Sequence, residues 1–170
     1  MFYAGDPATL ARDVDDALAD AHPVAGPAPK ALIAPHAGYV YSGPVAASAY
    51  AVLEPVRDTI RGVVLLGPCH RVAVRGLALP SADAFDTPLG RVPVDREAVA
   101  ALAGMPQVVV SDPAHAQEHS LEVQLPFLQQ VLGDFAIVPL AVGDASADEV
   151  AGVLDRLWGG PETLLLISSD

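Results

Sequence analysis

"ALIAPHAGYVYSG", residues 31–43, is the stretch whose reading decides the fold. The apolar run from Ala31 to Ala34 is too short for a helix and fits a buried strand. Pro35 stops it, and His36, Ala37, Gly38 and the tyrosines at 39 and 41 follow in a loop. "GPVAASAYAVL", 43–53, then reads as a helix of small residues with Pro44 near its start. "GVVLLGPCH", 62–70, repeats the first half of the pattern: an apolar strand, then proline, then His70.

Working outward, "DPATLARDVDDALADA", 6–21, places Leu10, Val14, Ala17, Leu18 and Ala21 on one helical face, with Asp6 as N-cap and Pro7 at the first helical position. Downstream, "RGLALP" reads as a third strand and "AFDTPLGRVPVD" as a hairpin. "DREAVAALAG" is a helix capped by Asp95 and closed by Gly104, and "QVVVS" is a strand. "SLEVQLPFLQQVLG" reads as a helix kinked at Pro126. "FAIVPLAVG" is a strand, "SADEVAGVLDRLWGG" a helix with a capping box from Ser146 to Glu149, and "TLLLISSD" a final strand. Strands alternating with helices, several of them apolar throughout, predict an α/β fold. It has a mixed, mostly parallel central sheet with helices on both faces.

The chain has 170 residues, 52% of them hydrophobic and 18% charged, as one ordered domain requires. Its net charge of −12 argues against a nucleic-acid partner. No apolar stretch approaches the roughly 20 residues of a membrane helix, and no secretory signal is apparent, so a cytoplasmic protein with no membrane partner is expected. One cysteine, Cys69, excludes an intrachain disulfide.

Ligands of open α/β sheets bind beyond the carboxyl ends of the strands. His36, His70 and Asp170 all lie past such ends. Two imidazoles there are the start of a metal site, suited to iron, zinc or copper. The competing reading is two ordinary loop histidines. Gly38 and Gly67 would let the backbone pass close to a bound group. "HAQEHSLEVQLP", 115–126, packs Glu118, His119, Ser120 and Glu122 where a loop enters a helix. His119 fits a proton shuttle and a carboxylate could complete a metal site; equally, Ser120 caps the helix and the glutamates complement its positive end. Tyr39 and Tyr41 are candidates for the pocket wall or for sheet cover. Cys69 reads as a thiol packed in the turn, and His22 and His115 as surface residues.

Together "FYAGDP" (2–7), "APHAGYVYSG" (34–43), "LLGPCH" (65–70), "TPLGRVPVD" (87–95), "EHSLEVQLPFLQ" (118–129) and "SSD" (168–170) resemble the Memo family, AmmeMemoRadiSam system protein B. That family is related in fold to class III, LigB-type extradiol dioxygenases. The resemblance implies a metal-dependent oxidoreductase or dioxygenase. His36 and His70 would be its metal ligands, with iron foremost and copper or zinc as alternatives, and Asp170, His119 and Glu118 would be catalytic neighbours. Tyr39, Tyr41, Cys69 and Glu122 would lie around the pocket. The expected partner is a small molecule or peptide, and a non-enzymatic binding module is the other reading. Family members continue past "SSD" and supply a third ligand later. The resemblance therefore implies a single domain, 1–170, lacking about its last third. The expected consequence is a last strand exposed as an unpaired edge, and self-association.

Overall fold

The structure, a computed structural model, describes residues 2–24 and 26–170. Helix α1 (Pro7–Ala19) is capped by the Asp6 side chain, which accepts the Thr9 amide. The strands β1 (Ala31–Ala34), β2 (Gly62–Pro68), β3 (Leu77–Leu79), β6 (Val108–Val110), β7 (Ala136–Val142) and β8 (Thr163–Ser168) form one sheet. Its order is β1-β8-β2-β7-β3-β6. The first four in that order are parallel, β3 runs antiparallel to β7, and β6 follows β3 in parallel. The hairpin of β4 (Ala84–Thr87) and β5 (Gly90–Pro93) stands apart.

Side-chain alternation along β2 divides the core. Val63 and Leu65 join α1, α2 (Tyr39–Tyr50) and α5 (Leu125–Val131) on one face. Val64 and Leu66 join α3 (Arg96–Ala101) and α6 (Ala147–Leu157) on the other. Helices therefore cover both faces of a mixed, mostly parallel sheet, as the sequence predicts. The capping box at Ser146 and Glu149 is formed. No helix among the described residues is long and apolar enough to cross a membrane.

Several local expectations need correction. Helix α2 begins at Tyr39, so both tyrosines belong to its first turn. Pro44 lies inside that helix. The carbonyl it cannot satisfy is that of Val40, on the exposed side of the helix. Residues 120–133 do not form one kinked helix. A 3-10 turn (Glu122–Gln124) leads into α5, and Pro126 stands in its first turn, where a missing N–H leaves no bond unmade. A short helix, α4 (Asp112–Ala116), was not foreseen. The last strand is not an edge: β8 is paired on both sides, by β1 and β2. The free edges are β1 and β6, where Ile33 and Val110 are exposed.

Gly43 sits within α2, and a Cβ there would meet only the Tyr39 Cβ, at 3.7 Å. Gly43→Ala is expected to stabilise the protein by about 0.5–1 kcal/mol, because alanine loses less backbone entropy in a helix. A thermal melt reads this as a Tm raised by roughly 1–4 °C; a lowered Tm would contradict it.

Candidate functional site

Strands β1, β8 and β2 are consecutive in the sheet and parallel, so their carboxyl ends open on one rim. His36, Asp170 and His70 each follow one of those ends by two residues. The rim brings the rings of His36 and His70 to a centroid separation of 5.3 Å. Residues remote in the chain thus meet because their strands are neighbours.

The cavity between them has a volume of about 290 Å³, and His36, His70, Glu118, His119 and Asp170 all line it. Phe2, Arg71, Gln117 and Ser120 complete the wall and were not singled out as site residues from the sequence. Phe2 and Ser120 stand inside motifs quoted above; Arg71 and Gln117 carry no local signal.

Each histidine is oriented from behind. Glu118, buried, accepts the backbone N–H of His70 at 2.6 Å and faces its Nδ1 at 3.1 Å. Glu118 also accepts the amides of His119 (3.0 Å) and Ser120 (2.9 Å). Burial alone would raise this carboxyl, but the amides of His70 and Ser120, with their side chains, pull it down to about 2. A carboxylate opposite Nδ1 fixes the tautomer with the proton there, leaving the Nε2 lone pair of His70 free.

His36 has an analogous arrangement. The Ser168 hydroxyl donates to the Ser120 carbonyl, so His36 Nδ1, 3.1 Å from the same oxygen, is the donor to it. Again Nε2 keeps its lone pair. Asp170 accepts the His36 backbone N–H at 2.8 Å through Oδ1, and its Oδ2 lies 3.5 Å from His36 Nε2. Behind Ser168 the buried Gln124 donates to Ser168 Oγ (2.8 Å) and to the Pro35 carbonyl (3.0 Å), and accepts the Tyr50 hydroxyl (2.6 Å). Burial pushes the Tyr50 hydroxyl far up, so it stays a donor.

His119 forms a second element. Its Nδ1 is 2.7 Å from Glu122 Oε2, the other Glu122 oxygen accepts the Tyr3 hydroxyl, and the Phe2 ring lies 4.5 Å from the imidazole. Burial raises the Glu122 carboxyl.

Other candidates lie elsewhere. Tyr39 donates to the Val123 carbonyl at 2.6 Å and faces a different cavity; Tyr41 is exposed. Cys69 is turned away, its thiol donating to the Val72 carbonyl at 3.1 Å. Gly67 has a different close neighbour from the one expected: a Cβ there would lie 2.9 Å from Ser120 Oγ and Leu121, so its smallness serves packing behind the rim. Gly38 is the N-cap of α2. His22 is exposed, as expected, but His115 is not a surface residue. It is half-buried, with Nε2 3.0 Å from the Ala78 carbonyl and Nδ1 without a partner, and burial lowers its pKa.

Two imidazole nitrogens bound to one ion at about 2.0–2.1 Å keep their ring centroids within roughly 6.5 Å of each other. The observed 5.3 Å satisfies that limit, and the donor set suits a transition metal. Among the described residues, however, no group of three or more His, Cys, Asp and Glu side chains is arranged to hold an ion.

A family model described as "Memo-like protein" matches residues 1–170. A MEMO1 family protein of Thermotoga neapolitana is 42% identical over 146 residues, which cover 83% of this chain and 52% of that protein. One from Methanopyrus kandleri is 43% identical over 152 residues, covering 82% and 51% respectively. One from Aquifex aeolicus is 40% identical over 147 residues, covering 84% and 53%. The chain spans about half the length of these curated relatives. A match along the whole chain, with about two residues in five identical in such distant organisms, settles the family: this chain belongs to the Memo family.

Proposed function

We propose that the rim built by β1, β8 and β2 binds a divalent metal through Nε2 of His36 and of His70, and that the site is of oxidoreductase type. Iron is the first choice, with copper or zinc as alternatives. One observation carries this: both histidines have Nδ1 engaged from behind, by Ser168 and by Glu118, so both bare lone pairs belong to Nε2. A redox-active ion held there would supply electron transfer to or from a bound small molecule.

The chain's own groups do the rest. Glu118, pulled down to about 2, stays ionised and locks His70. Asp170 ties the His36 backbone to the rim and sets a carboxylate beside its Nε2. The Phe2 ring lies against that of His119, 4.5 Å between centroids.

The test is metal content. The full chain, loaded anaerobically with Fe(II) and separately with Cu(II), then desalted, is expected to retain stoichiometric metal. His36→Ala with His70→Ala should retain at least about tenfold less, with an unchanged circular dichroism spectrum. Full retention by the folded double variant ends the proposal.

His119 favours a second reading, as an extradiol-type dioxygenase. Its ring lines the same cavity and is held by Glu122, as a base taking a phenolic proton requires. With Fe(II) and O2 supplied, cleavage of the catechol ring with both oxygen atoms taken into the product would give a yellow compound, lost in His119→Ala. A peptide or small ligand that occupies the histidine cavity itself, and still binds there after loss of both histidines, would instead support a non-enzymatic module.

A further inference from the structure

A second cavity, of about 530 Å³, shares the Phe2 wall with the histidine pocket but is chemically unlike it. Its volume falls in the range of roughly 300–1,000 Å³ typical of small-molecule sites. Phe2, Tyr3, Tyr39 and Phe127 contribute aromatic rings, and Gly43 leaves room where a side chain would intrude. Both tyrosine hydroxyls are already used, Tyr3 on Glu122 and Tyr39 on the Val123 carbonyl, so the tyrosines offer ring rather than hydroxyl to a ligand. One charged side chain lines the cavity, the carboxylate of Asp13. It is exposed on α1 and takes part in none of the ion pairs among the described residues.

An apolar, ring-lined cavity with one acidic residue among its lining residues suits positive charge on an apolar body. An anion meets Asp13 and a chain of net charge −12. A neutral apolar molecule fills the space but gains nothing from the charge of Asp13. We propose that this cavity binds a small organic cation, an arylalkyl or alkyl ammonium, with its apolar part among the rings and its ammonium at Asp13. The site needs neither His36 nor His70, so it stands independently of the metal proposal.

The probe is 2-phenylethylammonium, compared with its neutral and anionic relatives 2-phenylethanol and phenylacetate, titrated calorimetrically into the metal-free full chain. The ammonium is expected to bind saturably and about tenfold more tightly than either relative. Asp13→Asn should weaken the ammonium about threefold and leave 2-phenylethanol unchanged. Gly43→Leu, which fills the space, should remove both, provided its melting transition is retained. His36→Ala with His70→Ala should bind the ammonium as the unaltered chain does. Absence of saturable binding, equal binding of ammonium and alcohol, or ammonium binding unmoved by Asp13→Asn overturns the proposal. Loss of binding in the double histidine variant also overturns it, because the ligand would then belong to the other pocket.

Discussion

Glu118→Ala is expected to cost the fold roughly 3–5 kcal/mol, a large part of the stability of an ordinary domain. Glu118 is 8% exposed and serves three backbone amides and an imidazole at once. Alanine leaves those amides with no acceptor in a site too closed for free hydration, and it releases His70. Urea denaturation at neutral pH measures the loss; an unchanged midpoint would sink the account. The same carboxylate gives a pH signature. Its pKa falls from 4.5 to about 2 on folding, so its stabilisation is complete above the unfolded value and is lost as pH drops toward the folded one. The denaturation midpoint should therefore fall between about pH 5 and pH 2 in the unaltered protein, and Glu118→Gln should flatten that fall.

Gln124→Leu is expected to cost roughly 2–4 kcal/mol, because it takes the partner from the buried Tyr50 hydroxyl and the Pro35 carbonyl and removes one of the bonds to Ser168. Gln124 is 1% exposed and links the Tyr50 hydroxyl to Ser168 and the Pro35 carbonyl. The predicted fall in Tm is roughly 5–15 °C. Tyr50→Phe removes one of the orphans, so it should cost less when combined with Gln124→Leu than in the unaltered chain. Equal costs in the two backgrounds would show that the network is not coupled. Because Ser168 orients His36, the metal retention proposed above would fall in Gln124→Leu as well.

Legibility in the sequence followed how local each signal is. Asp6 with Pro7, Asp95, and Ser146 with Glu149 cap their helices as read, since a cap is a contact between residues three or four apart. The runs at β2 and β7 are strands because apolar, β-branched stretches of that length have no better alternative. Prolines misled where one residue has two permitted meanings. Pro44 is carried inside a helix on a solvent-facing turn, and Pro126 starts a helix instead of bending one. Tyr41 stood beside the histidine loop in sequence yet faces solvent, because the first turn of α2 rotates it away from the rim. His115 went the other way, drawn inward by a carbonyl on β3, an element distant in the chain.

The sequence alone determined which segments become strands, that an α/β sheet results, and that histidines stand just past two strand ends. Hydrophobic periodicity and proline and glycine placement are written residue by residue. Only the tertiary structure decided that β8 inserts between β1 and β2, and so that His36, Asp170 and His70 share one rim. Strand order rests on packing between segments far apart in the chain, a free-energy difference spread over many side chains. The same holds for the free Nε2 atoms, which depend on Ser168 and Glu118 arriving from other elements to hold Nδ1.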